Sequence, residues 1–289
     1  MNRICRRRPI LVMLAIPLLL FALGPRAFAV DLVEARTAYQ TQTVKAMKAP
    51  QAFVQERTPA GVNEVTYASG KLRLKGWMSA LSHSATKAPA VVFLHGGFSF
   101  SRDDWVAAEG FVKAGYVLFM PLMRSENGGP GNFELFGGEV DDALAAGNYL
   151  TTIPQIDSKR IYLVGHSVGG SLAILAAQMN SPYKAAAAYS GYAHLPDWIA
   201  QYKNIVPFDI RKDDEMKIRD PYRYASSVKI PLYMFSESQS PWGAATNSDF
   251  CKLVAKRSPC LHETITGSHE SMIAPSVAKT IALFNATAQ

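Results

Sequence analysis

An apolar run at residues 161–164 stops at Gly165, and a stretch of helical composition starts at Val168; between them stands Gly165-His166-Ser167-Val168-Gly169. A Gly-x-Ser-x-Gly pattern at the junction of a buried strand and a helix is compatible with very little local geometry. The turn is so tight that side chains two before and two after the serine would collide, and glycine at both places removes the collision. Such a turn holds the Ser167 hydroxyl above a sheet edge and aims the first amides of the next helix at whatever the hydroxyl attacks. The rest of the chain then has to supply a base, an acid and a second donor for a developing oxyanion.

The flanking sequence predicts the frame. Residues 65–70 and 71–78 alternate polar and apolar about Ser69-Gly70, which reads as an antiparallel hairpin. Residues 90–94 and 116–120 are apolar without alternation, as strands buried on both faces are. Further strands read at 185–189, 230–235 and 262–266, and helices at about 103–114, 139–150, 246–255 and 274–284. This alternation predicts an α/β fold with a doubly wound, mostly parallel sheet. Residues 31–50 predict one amphipathic surface helix. An insertion at about 191–228 lacks any buried-strand pattern and carries Tyr192, Trp198, Tyr202, Phe208, Tyr222 and Tyr224. It has two readings: a helical excursion filling its own small core, or a cap walling the pocket over Ser167.

Where the charge sits decides what it means. The 289-residue chain has a net charge of +7, but Arg3, Arg6, Arg7 and Arg8 head an apolar run at residues 10–23 that ends near Ala27-Phe28-Ala29. These are the three parts of a secretory signal peptide, so residues 1–29 are expected to be removed and 30–289 to form a single exported domain, periplasmic or secreted. The cut takes five arginines and no acid, leaving 25 basic against 23 acidic residues. No basic cluster interleaved with aromatics survives it, so nucleic acid is not an expected partner. A retained membrane anchor is disfavoured because the run is shorter than a spanning helix and Pro17 interrupts it. Cys5 leaves with the leader; Cys251 and Cys260 remain as an even pair, expected to form a disulfide in an oxidising compartment.

Six histidines compete for the role of base. His83 precedes the core strands, His95 sits in a glycine turn, His166 lies inside the serine turn, His194 is in the insertion and His262 begins the last strand. His269 follows that strand, in a loop at the same sheet edge as Ser167, and is the expected base. Arg124 carries two readings, a clamp for an anionic substrate group or a tie for nearby loops. Glu139, Asp141 and Asp142 open a helix and read as structural. No metal-ligand spacing and no phosphate- or dinucleotide-cradling glycine motif is present, so neither a metal nor a cofactor is expected.

His95-Gly96-Gly97 after one buried strand, Gly165-His166-Ser167-Val168-Gly169-Gly170 after another and Gly267-Ser268-His269 after the last together resemble the α/β-hydrolase fold superfamily. Within it the chain is similar to the dienelactone-hydrolase-like and prolyl-oligopeptidase-like serine hydrolases, over roughly residues 60 to 287. The resemblance implies Ser167 as nucleophile, His269 as base, and an oxyanion hole from the amide of Val168 and that of Gly97 or Phe98. Members commonly carry an aspartate shortly after the strand that here is 230–235. Residues 236–240 read Ser-Glu-Ser-Gln-Ser, with Ser240 about where the aspartate would stand. Glu237 is the only acid in that loop and is assigned to orient His269; Asp197 and Asp249 remain rivals. The implied activity is carboxylic ester hydrolysis on a small-molecule ester, with a peptidase or amidase second and a catalytically weak binding protein as the contrasting class. Tyr192, Trp198, Trp242 and Arg124 are the candidate pocket residues.

Overall fold

The structure is a computed structural model, and it describes residues 31–81, 86–239 and 243–287. The proposed leader, His83, Ser240 and Trp242 lie outside the described residues.

One eight-stranded sheet, in the order β1-β2-β4-β3-β5-β6-β7-β8, organises the chain. The hairpin is β1 (Val62–Ser69) and β2 (Leu72–Ser79), closed at Gly70 with φ 53°. β2 runs antiparallel to β4 (Val117–Pro121). From there β3 (Ala88–Leu94), β5 (Ile156–His166), β6 (Ala186–Tyr189), β7 (Leu232–Glu237) and β8 (Cys260–Ile265) continue in parallel. The fold class is therefore the doubly wound, mostly parallel α/β sheet that the sequence predicts.

The unalternating run in β3 shows why. Ala90, Val92 and Leu94 join the core on one face, while Val91 and Phe93 join the core on the other. Helices α4 (Gly138–Thr151), α5 (Val168–Ala177) and α8 (Ala244–Val254) cover the first face. The second is covered by α2 (Arg102–Ala108), α3 (Gly110–Lys113) and α9 (Ile273–Thr287). Burying each large apolar side chain in such layers contributes about 1.5–3 kcal/mol. The expected helix at 103–114 is split into α2 and α3.

The N-terminal expectation is corrected. Helix is confined to α1 (Leu32–Ala38), started by an Asp31 and Glu34 capping box, and residues 39–61 run on without helix or strand. This strap is tied down by groups remote in sequence. Val44 donates to the Pro207 carbonyl (2.8 Å), Phe133 to that of Met47 (2.9 Å), and Lys48 Nζ to those of Gly129 and Gly131. Farther along, the Ala49 amide donates to Ser125 Oγ and the Arg102 amide to Glu56. These tertiary bonds replace the intrahelical ones that the polar composition suggested.

The insertion holds α6 (Leu195–Gln201), α7 (Asp213–Lys217) and 3₁₀ turns at Lys203–Ile205 and Pro221–Ser227. Asn247, buried in α8, anchors its root: Oδ1 accepts from the Ala193 amide and Nδ2 donates to the Gly191 carbonyl. Cys251 in α8 is bridged to Cys260 at the start of β8. Among the described residues no helix is long and apolar enough to cross a membrane.

Candidate active site

The turn between β5 and α5 has the crowding that its glycines imply. A Cβ on Gly165 would stand 2.0 Å from the Gly169 carbonyl oxygen, and one on Gly169 would stand 2.2 Å from the carbonyl oxygen of Leu94 in β3. Ser167 itself takes φ 54°, ψ −116°, a conformation that costs a non-glycine residue about 1–3 kcal/mol. The strain is held by the Ser167 amide donating to the Tyr189 carbonyl at the end of β6 (2.8 Å). Because Val168 is the first residue of α5, its amide has no acceptor within the helix.

Base and acid arrive from the next two strands. Glu237 ends β7, paired in register with Ile265 of β8, and is 5% exposed. His269 follows β8 in a loop fastened by Gln239 N–H to the Gly267 carbonyl (3.1 Å) and Gly267 N–H to Ser238 Oγ (3.2 Å). His269 Nδ1 lies 3.2 Å from Glu237 Oε1, and the other carboxylate oxygen accepts from Ser190 Oγ at 2.5 Å. Burial pushes the Glu237 carboxyl up, but hydrogen bonds from Ser190, its own amide and His269 outweigh it and hold the group below the usual carboxylate range. A carboxylate can only accept here, so Nδ1 is the protonated donor of this hydrogen bond.

Ser167, Val168, Ser190, Glu237 and His269 line one cavity of about 410 Å³, with Tyr192, Trp198 and Tyr202 of the insertion forming its aromatic side. Trp198 is braced by Tyr202 (centroids 4.5 Å), Phe136 (5.5 Å) and Phe98 (6.3 Å). A separate cavity of about 280 Å³, floored by Trp77 and Phe100, contains none of Ser167, His269 and Glu237.

The glycine turn after β3 faces the serine: a Cβ on Gly96 would come 3.4 Å from that of Ser167. Gly97 has φ 66°, and its amide has no hydrogen bond among the described residues. Phe98 is a correction. Its amide donates to Gln51 Oε1 of the strap (2.8 Å), so it is engaged, and the Gly97 and Val168 amides remain as candidate donors near the serine.

Other candidates fall elsewhere. Arg124 does not line the cavity; it grips Asp142 through Nε and Nη2 (2.9 Å each) and Glu134 through Nη1 (2.8 Å), which corrects its assignment as a pocket residue. Asp197 pairs with His194 (2.9 Å) and Asp249 with Lys252 (2.8 Å), both on the surface, so neither rival acid reaches His269.

Two histidines without an assigned role frame the site. His95 is buried with Nε2 3.0 Å from Glu126 Oε2; burial pushes it down, but the charge and hydrogen bond of Glu126 carry it up to about 9. His166 donates from Nε2 to the His269 carbonyl (2.9 Å) and, through burial and the neighbouring His269, is lowered to about 4. Among the described residues no His, Cys, Asp and Glu cluster is arranged to hold a metal ion.

The sheet order and the strand–turn–helix at Ser167 are those of the α/β-hydrolase fold. Residues 125–233 match the model of the prolyl oligopeptidase family. It is 25% identical over 185 residues to the Bacillus subtilis protein named uncharacterized peptidase YtmA, covering 59% of this chain and 70% of that one. Pyrococcus horikoshii acylaminoacyl peptidase superposes with TM-score 0.62 at 20% identity over 77% of this chain, which spans 40% of that enzyme's length. A Pyrococcus furiosus esterase superposes with TM-score 0.67 at 18% identity, over 84% of this chain and 97% of that one.

Proposed function

We propose that the protein is an exported carboxylic ester hydrolase working through an acyl-enzyme on Ser167. The observation that carries this is the Glu237–His269 contact of 3.2 Å opening onto the same cavity as Ser167. Ser167 Oγ forms a bond to the ester carbonyl carbon while its proton passes to His269 Nε2. Charge builds on the carbonyl oxygen, and the amides of Gly97 and Val168 are the donors for it; removal of one such donor typically costs ~10²–10³ in turnover. The tetrahedral adduct expels the alcohol, which takes the proton from Nε2. Water, deprotonated by the same nitrogen, then releases the acid and restores Ser167.

Tyr192, Trp198 and Tyr202 favour an apolar or aromatic substituent on the substrate. The ester reading is supported by the esterase match, which runs nearly the full length of that chain. Amide cleavage is the second reading, supported by the family model at residues 125–233 and by YtmA. Export is supported by the leader pattern at residues 1–29 and by the Cys251–Cys260 bridge.

A panel of p-nitrophenyl esters and aminoacyl p-nitroanilides, assayed on wild type and Ser167→Ala, tests the proposal. Serine-dependent turnover of the esters, with a kcat/KM at least about tenfold above that of the anilides, is the expected result. Anilides as the better substrates would transfer the assignment to a peptidase.

A further inference from the structure

Ser190 stands where a side chain is hard to accommodate. It follows β6 with φ 47°, in the left-handed region that glycine enters freely and other L-residues disfavour. Its amide donates to the Phe235 carbonyl of β7 (2.8 Å), and the next residue packs so tightly that a Cβ on Gly191 would lie 2.5 Å from the Gly170 carbonyl carbon. The backbone here is therefore fixed by its neighbours on both sides. Glycine would meet the conformational demand better, so the hydroxymethyl group needs another explanation.

That group lies between two elements. Ser190 Oγ is 2.5 Å from Glu237 Oε2 and 2.7 Å from Met272 Sδ, on the loop between His269 and α9. A hydroxyl has one proton, and the charge-assisted bond to a carboxylate is far stronger than one to a thioether, so the proton goes to Glu237. Met272, fully buried, closes the other side of Oγ. A glutamate has one more rotatable bond than an aspartate, and its carboxylate can swing away from the imidazole unless its second oxygen is held.

We propose that Ser190 is a positioning residue: its hydroxyl clamps Glu237 Oε2 so that Oε1 stays on His269 Nδ1, completing a relay Ser190–Glu237–His269–Ser167. This rests on the catalytic reading of Ser167, His269 and Glu237 proposed above. The left-handed backbone at Ser190 is what aims the hydroxyl back across the end of β7. Ser190 touches no reacting atom and acts only through the carboxylate.

The test uses Ser190→Gly and Ser190→Ala in the whole protein, because glycine removes the hydroxyl and relieves the backbone together. Three quantities are read: thermal stability, steady-state kinetics on p-nitrophenyl butyrate, and the titration midpoint of the Glu237 carboxyl carbon by NMR. Ser190→Gly is expected to melt above Ser190→Ala, since both lose the hydroxyl and only glycine suits the positive φ. Its kcat is expected to fall by about 10–100-fold, the loss of one hydrogen bond to a charged group, with KM within about threefold; Ser190→Ala loses the same activity and melts lower. The Glu237 midpoint rises in both variants, because a donor that favoured the ionised form is gone. A Ser190→Gly enzyme within about twofold of wild-type kcat, or an unmoved Glu237 midpoint, overturns the proposal. If wild type hydrolyses no ester and no amide, the serine-hydrolase reading fails on its own, and the carboxyl midpoint still decides whether Ser190 holds Glu237.

Discussion

Glu237 meets His269 from inside a strand: its carboxylate is 3.2 Å from Nδ1 while its backbone is still in parallel register with Ile265. An aspartate at this position would have one methylene fewer with which to reach the imidazole. The glutamate's length compensates for an early position on the chain, and Ser190 restrains the freedom that the length brings.

Replacing Glu237 by Gln keeps size and removes charge. We expect kcat to fall by ~10²–10⁴ with KM little changed, the range seen when the orienting acid of such a relay is neutralised. Asp197→Asn and Asp249→Asn, on the surface and paired elsewhere, should stay within about twofold of wild type. Steady-state kinetics on one p-nitrophenyl ester decides among the three; an unimpaired Glu237→Gln enzyme contradicts the assignment.

Gln51 gives the N-terminal strap a part in the site. Its Oε1 accepts from the Phe98 amide and stands 2.4 Å from where a Gly97 Cβ would be, so it lies against the loop that carries Gly97, the proposed oxyanion donor. Loss of one neutral hydrogen bond is worth about 1 kcal/mol, and Gln51→Ala should lower kcat by about fivefold while the melting temperature moves little. A kcat equal to wild type would show that the loop keeps its shape unaided.

His95 and His166 bend stability in opposite directions with pH. His95, raised from 6.5 to about 9 in the fold, stabilises fully below 6.5, and that contribution is lost as pH climbs through 9. His166, lowered from 6.5 to about 4, stabilises fully above 6.5, and its contribution is lost as pH falls through 4. Each is worth on the order of a few kcal/mol at its limit. Denaturant unfolding from pH 4 to 9 should therefore show His166→Gln flattening the acid side and Glu126→Gln flattening the alkaline side. Parallel curves for wild type and both variants would refute it.

Much of this was legible in the residues because the informative features are local. Gly165, Gly169, Gly96 and Gly97 are required by backbone contacts within a few residues or across one strand, and unalternating runs such as 90–94 announce burial on both faces. His269 follows from its place after the last strand, and Glu237 from being the sole acid in residues 236–240, beyond the strand read at 230–235. Elsewhere the deciding contacts are remote. The strap at 39–61 takes bonds from residues 98–133 and 207–219, which no periodicity in 31–50 reveals. Arg124 was drawn to Asp142 and Glu134 by charges whose proximity depends on the packing of α4. The carboxylate at Glu126 was a weak signal for His95, buried charge in a Gly- and Asn-rich loop, and Ser190 left none, since a serine gives no hint of a positive φ.

The most direct measurement of the central claim is active-site labelling of the purified protein with a fluorophosphonate, followed by mass spectrometry of the modified peptide. The account predicts a single adduct on Ser167, absent in Ser167→Ala and formed much more slowly in His269→Ala. Labelling of wild type no faster than of Ser167→Ala would contradict it.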